Sequence, residues 1–529
     1  MAALLVLAQL QSPLAVRADT VHPSHDALHY DITLVVEDTT RHILGEVETT
    51  WRLRSSAPVE VALDSAMRVV RVLIDGMPNS RIARTLWGRP AGMVVIPHGK
   101  RAGDTLTTRI RYHGYVTDGL IIKENAYGAR TAFADNWPDR AHRWFPSQDH
   151  PSDKATVAFH VQASMQYQVI TNGVLQRIDT LAYGNRVWHY RMDTPIPVYT
   201  MVVGVARMAV TPLGQGGCPV RCVPISVWSF PEDSAYAVTG PFRRATEIVD
   251  YFSRIVGPIS YPSLAHVESS TIFGGMENAT AIFYDEKAYK DRRLSESVVA
   301  HETAHQWFGD AVTEADWHHL WLSEGFASYF EALWAEHTAG DSGLRAVMRA
   351  YAAAVLASPA TERPILDSTA TDLMKLLNSN NYPKGAWVLH QLRGLVGDTA
   401  FFAGLRRYYA TYRDSTALSI DFARTMSEAA GTDLDWYFRQ ALLQPGYPKL
   451  DVRWRLNGDG ADLTIRQTQP DAWGTYRLPK LELTVAGKAV TVDVTGRETR
   501  LHLPGVPGTP SIEVDPHGRW LLAATVGAE

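Results

Sequence analysis

The apolar period changes twice along this chain, which restricts its fold more than any other feature. From about residue 20 to 205 one parity is apolar: Tyr30, Ile32, Leu34 and Val36, then Val47, Thr49, Trp51 and Leu53, then Val59, Val61 and Leu63. Short alternating runs broken by "DGMPNS" and "YHG" read as antiparallel strands with one buried face. From about 206 to 445 the spacing becomes helical, through Phe242, Ile248, Val249, Phe252 and Ile255 before a Gly257 stop, and again through Phe326, Phe330 and Leu333. "QPGYP" at 444–448 ends that pattern, because proline lacks the amide donor and fixes its own backbone. Alternation resumes through Leu450, Val452, Trp454 and Leu456 up to the hairpin signal "NGDG". At 529 residues the chain is too long for a single hydrophobic core. The expectation is a multidomain α+β protein. It has a candidate signal peptide over 1–18, an N-terminal antiparallel β domain over 19–205, a mainly helical domain over 206–445 and a small β-sandwich over 446–529.

A net charge of -5 with no basic run gives no cue for nucleic acid or an anionic membrane. No stretch approaches the roughly 18–20 uninterrupted apolar residues of a membrane span. The leader "MAALLVLAQLQSPLAVRADT" has the apolar and small-residue regions of a signal peptide but not its basic start. If it is a truncated signal peptide the protein is periplasmic or secreted, and otherwise cytoplasmic. The two cysteines, Cys218 and Cys222, allow either a disulfide or two free thiols.

The chemistry concentrates in "VVAHETAHQWFGDAV" at 298–312, where ionisable groups interrupt an apolar helix. An isolated buried charge is costly unless paired or bound to a metal. His301 and His305 are four apart, so both imidazoles share one helical face and suit two ligand positions of one zinc. Glu302 is rotated by roughly 100° from His301, out of the ligand set but within reach of a water on the metal. A catalytic zinc needs a third protein ligand and an open position. Position 311 is alanine, which removes a histidine six beyond the motif. Glu324, at the start of the next helical run, fits the role, with Asp310, Glu314, His318 and His319 as competitors.

With "HETAHQWFGD" followed by "LWLSEGFA", preceded by "GGMEN" at 274–278 and followed by "NNYPKGAWVL", the sequence resembles the family M1 zinc aminopeptidases, the aminopeptidase N and leukotriene A4 hydrolase group. The resemblance implies an N-terminal β saddle, a thermolysin-like catalytic domain and a β-sandwich; as a departure from many relatives, no large helical C-terminal domain is expected. It implies one zinc per chain on His301, His305 and Glu324, with Glu302 as general base and Tyr382 stabilising the transition state. Gly274, Gly275, Met276, Glu277 and Asn278 would bind substrate, Glu277 taking the free α-amino group. A second departure concerns the amine. The family often places a second amine-holding Gln or Glu where this chain has Trp137, beside Asp135 and Asn136.

The expected partner is a peptide with a free N-terminus, cleaved at its first bond. Two other functions fit parts of the sequence: a thermolysin-like endopeptidase, which shares the histidine motif and a distant glutamate, and a non-catalytic peptide-binding protein with a relic metal site. "GGMEN" separates the exopeptidase from the first, and the filled set of roles separates it from the second.

Overall fold

The structure, a computed structural model, describes residues 12–17, 24–79, 83–86, 91–458, 460–506 and 508–529. Most of the expected leader (1–11 and 18) lies outside them, as do Ser80 and Asp459 of the two expected turns. The chain folds into two compact units. One holds the described residues of 19–317 with Tyr409–Ala417; the other holds those of 1–18 with His318–Tyr408 and Leu418–Glu529.

The first unit opens with the expected β structure. His25–Val36 and His42–Leu53 pair antiparallel at the centre of an eight-stranded sheet. Tyr30, Ile32 and Leu34 are fully buried, and their register sets them opposite Thr49, Val47 and Gly45. His25–Val36 also pairs in parallel with Lys154–Ser164, the long connection between them carrying the sheet of Val59–Asp64, Ala83–Leu86 and Ala91–Ile96. A four-stranded sheet contains Arg130–Ala134 and Val203–Ala206, and a three-stranded one contains Val59–Asp64. The buried Trp51 indole donates to Thr108 Oγ1 at 2.8 Å, which lets the ring sit in the core without an orphaned N–H.

Within the zone expected to be mainly helical, a five-stranded sheet comes first: Ala209–Gly216, Val223–Ser229, Leu264–Ser269, Ala281–Asp285 and the short edge strand Gly275–Met276. Leu264–Ser269 runs parallel to both its neighbours and is buried at every position. A strand covered on both faces has no reason to alternate, so period two is absent from its sequence. Helices dominate afterwards. Cys218 and Cys222 are joined in a disulfide.

In the second unit the long helix Trp321–Ala357 turns at Gly340, and a π-helical turn at Asn380–Lys384 leads into Gly385–Tyr412. The C-terminal residues form a four-stranded sheet around Lys449–Asn457 and a three-stranded sheet around Leu478–Val485. Val452, Leu463 and Ile465 from one and Leu481, Leu483 and Val485 from the other fill a common core. Among the described residues no helix is long and apolar enough to cross a membrane.

Asp153 is an acid inside the apolar β core, only 6% exposed, with one weak bond from the Ala27 amide at 3.5 Å. Burial pushes its carboxyl up to about 8, with Asp26 adding to the effect and Arg54 opposing it. A folded-state value above the unfolded one means stability is highest below about pH 4 and is lost as pH rises through the folded value. Asp153→Asn, which cannot ionise, should therefore be more stable than the parent at pH 9 by on the order of a few kcal/mol. Denaturant titrations should show that gain closing towards pH 4; a constant difference across the range would remove the buried acid as its cause.

Candidate functional site

Glu296–His305 forms the motif helix, begun by Ser295, whose hydroxyl accepts from the Val298 amide at 3.3 Å. Val299, Ala300 and Ala304 on the helix, and Trp307 and Phe308 beyond it, are fully buried, so the ionisable side chains sit in an apolar wrap. The His301 and His305 rings lie 5.0 Å apart between centroids, as the four-residue spacing requires. His305 Nδ1 donates to the Phe308 carbonyl at 3.1 Å, which leaves Nε2 as the ring's donor atom for a metal.

The "GGMEN" segment lies on the edge strand Gly275–Met276, with Gly275 opposite Tyr284 and Met276 opposite Phe283. A Cβ added to Gly274 would meet open space, whereas one on Gly275 would fall 2.0 Å from Glu302 Oε1. The strand thus passes against the Glu302 carboxylate, an approach open to a residue without a side chain. Met276, Glu277 and Asn278 are buried. Glu277, Glu302 and His305 offer polar atoms within 4.8 Å of one another.

Gln306 holds this arrangement in place. It is fully buried, its Nε2 donates to the Glu277 carbonyl at 2.9 Å and to Asp310 Oδ2 at 2.7 Å, and its Oε1 accepts from the Thr280 amide at 3.0 Å. Sequence reasoning passed over Gln306; the only signal was an amide side chain next to the second histidine in an otherwise apolar stretch.

Glu324 lies in the first turn of Trp321–Ala357 and is 5% exposed. Tyr382 lies in the π-helical turn. Pro383 has no amide hydrogen and would crowd the Ser379 carbonyl in an α-helix; that carbonyl instead accepts from Lys384 N, five residues on, at 3.0 Å. Two asparagines pin the turn. Asn380 Nδ2 donates to the carbonyls of Ala360 (2.7 Å) and Arg363 (3.0 Å), and Asn381 Nδ2 to that of Leu376 (2.7 Å). The turn and the Glu324 helix touch backbone to backbone: a Cβ on Gly325 would stand 2.9 Å from Gly385 Cα.

His301 and His305 in one unit and Glu324 in the other offer two imidazoles and a carboxylate as candidate ligands. Two imidazoles and a carboxylate are the donor set of hydrolytic zinc, so the residues fit that ion. The competing residues have other partners. His318 bonds the Ala370 carbonyl, His319 bonds Ser419 Oγ and the Val16 carbonyl, and Asp310 accepts from Gln306. Glu314 belongs to neither ligand group among the described residues.

Trp137 is buried, edge-on to Phe273 (6.0 Å) and Trp317 (5.6 Å). Asp135 accepts from Arg140 at 2.5 Å, and Asn136 is used by Trp144 Nε1 and the Met201 carbonyl. These polar neighbours of Trp137 are committed to internal bonds.

Residues 26–200 match the Peptidase M1 N-terminal domain, and 248–440 match the Peptidase family M1 domain. Glutamyl aminopeptidase of Bos taurus is 27% identical over 343 residues, which is 61% of this chain and 35% of that one. Aminopeptidase A of Gloydius brevicauda is 26% identical over 461 residues, 80% of this chain and 47% of that one. The chain spans between about a third and a half of the length of these curated relatives. An M1 zinc metallopeptidase from Deinococcus radiodurans superposes with a TM-score of 0.70 at 25% identity, over 82% of this chain and 97% of its own. A mutant of that protein, bound to a Tyr-Ser-Ala substrate, has a TM-score of 0.69 at 24% identity, over 81% of this chain and 96% of its own.

The Gly325–Gly385 contact predicts a sharp asymmetry between glycines. Gly325→Ala should cost about 1–3 kcal/mol through overpacking against backbone. Gly394→Ala, whose Cβ meets nothing, should be neutral or stabilise by about 0.4–1 kcal/mol. Equal unfolding midpoints for the two variants would show that the close approach carries no energetic weight.

Proposed function

Because the chain belongs to peptidase family M1, we propose that it is a zinc aminopeptidase that removes the first residue of peptides with a free N-terminus. The observation that carries this reading is Glu277. Its carboxylate lies beside Glu302 and His305, fixed through its own carbonyl by Gln306. A negative charge held there complements an α-ammonium group, which an internal peptide bond does not possess. The endopeptidase reading assigns no substrate group to that charge.

His301, His305 and Glu324 would hold the zinc. When bound, zinc supplies Lewis-acid polarisation and acidifies water. Glu302 takes a proton from the attacking water and returns it to the leaving amine, a task for a carboxylate next to, but outside, the ligand set. The Tyr382 hydroxyl donates to the oxyanion as charge develops on it. Gly274 and Gly275, on the edge of a sheet, line the substrate backbone as an added strand would. The peptide bound by the Deinococcus radiodurans protein supports the substrate class. The domain boundaries 19–205, 206–445 and 446–529 belong to the same proposal. So does export, which the Cys218–Cys222 disulfide supports.

Two measurements test the reading. Glu302→Gln should bind zinc stoichiometrically yet lose turnover by about 100- to 10,000-fold, the usual worth of a general base; near-parent turnover would refute its role. An aminoacyl anilide should be cleaved and its N-acetylated twin left intact, with Glu277→Ala eroding that preference mainly through the free-amine substrate. Equal turnover of the two anilides by the parent would transfer the site to endopeptidase chemistry.

A further inference from the structure

A second built site lies within the second unit, at Lys384. Its side chain lines a cavity of about 30 Å³ together with Trp387, Tyr437, Gln444, Tyr447 and Trp520. Lys384 is 5% exposed, and its Nζ has no hydrogen-bond partner among the described residues. Two further lining residues carry buried polar atoms in the same condition, Trp387 Nε1 and Gln444 Oε1. Among the described residues no carboxylate lines the cavity. The other polar lining groups are occupied: Gln391 accepts from the Leu521 amide, Gln440 bonds the Arg477 backbone, and the Tyr437 and Tyr476 hydroxyls donate to carbonyls.

An ammonium buried without a counter-charge is among the costliest arrangements in a protein. Three orphaned polar atoms on one cavity demand a common occupant rather than three separate accidents. The cavity exceeds the roughly 10–15 Å³ needed for one water, so it admits a small ligand. A water would satisfy hydrogen bonds but would not neutralise the charge. Burial alone pushes the Lys384 ammonium down to about 7, so an unaccompanied lysine is close to losing its proton near neutrality.

We propose that this cavity binds a small monovalent anion, a halide or a formate-sized carboxylate, held by the Lys384 ammonium and the Trp387 indole N–H. Turning the Gln444 amide about its last bond would present its NH2 group as a third donor. A cavity of this volume suits a small anion, and the single lysine on its wall balances one negative charge. The site is separate from the metal donor set, and its occupancy is measurable without reference to peptide hydrolysis.

The test uses the full chain. Melting temperatures are measured at fixed ionic strength in sodium chloride, sodium formate and sodium gluconate, whose anion is too large to enter. Crystals are soaked in sodium bromide. Midpoints should rise saturably with chloride or formate but not gluconate, and an anomalous bromine peak should appear within hydrogen-bond distance of Lys384 Nζ. A response to chloride alone identifies a halide site, and one to formate as well identifies a carboxylate site. Lys384→Met should abolish the anion dependence. Trp387→Phe, which removes only an N–H from the cavity, should weaken it and keeps the test available if the lysine variant does not fold. A cavity without bromine, equal midpoints in all three salts, or an undiminished anion response in the variants would overturn the proposal.

Discussion

Glu277, Glu302 and His305 present polar atoms within 4.8 Å of one another, and none of the three is more than 7% exposed. Two carboxylates at such a distance repel by on the order of 3 kcal/mol even at an effective dielectric of 20. Each also gives up hydration on entering the apolar wrap of Val299, Ala300, Trp307 and Phe308. Positive charge must offset that cost. The chemistry of the group provides two places for it: a divalent cation on the imidazole and carboxylate donors, and an ammonium group at Glu277. Under the proposed function a zinc ion and a substrate ammonium group both contribute to that offset.

Repelling groups stay in place because the backbone is fixed. Gln306 spends both ends of its amide on the task, joining the Glu277 carbonyl, Asp310 and the Thr280 amide to the end of the motif helix. The π-helical turn at Tyr382 has its own restraints in Asn380 and Asn381, and the Gly325–Gly385 contact sets its spacing from the Glu324 helix. Neither device depends on long, freely rotating side chains. A displacement of about 1 Å can cost 100-fold in rate, so rigid backbone anchors are the appropriate means.

The sequence exposed whatever depends on local periodicity. Tyr30, Ile32 and Leu34 announce a half-buried strand because one face of it meets the core, and His301 with His305 announce a shared helical face for the same kind of reason. Leu264–Ser269 was hidden because burial on both faces erases alternation, so the sheet that carries "GGMEN" vanished into a zone read as helical. The π-helical turn was hidden too: a proline near a helix start usually signals a boundary, and its effect on the Ser379 carbonyl shows only in three dimensions. Gln306 and the glycine contact are long-range relations between segments that no single window contains.

Under the proposed function, Trp137 bears on what amine recognition can depend on. Its indole packs against Phe273 and Trp317, and its neighbours Asp135 and Asn136 are engaged by Arg140 and Trp144. Under the proposed function and the resemblance to the family, this aromatic wall would take the place of a second polar group at the ammonium; it stands beside Phe273, the residue immediately before Gly274. Under the proposed function recognition then relies on the Glu277 charge in a poorly hydrated setting. A Coulombic attraction strengthens there as the dielectric falls, whereas an additional neutral hydrogen bond contributes only about 0.5–1.5 kcal/mol net. Under the same reading, tryptophan in the helper's place would exchange a bond for a drier site, and the Glu277 carboxylate would gain part of what a polar partner supplies.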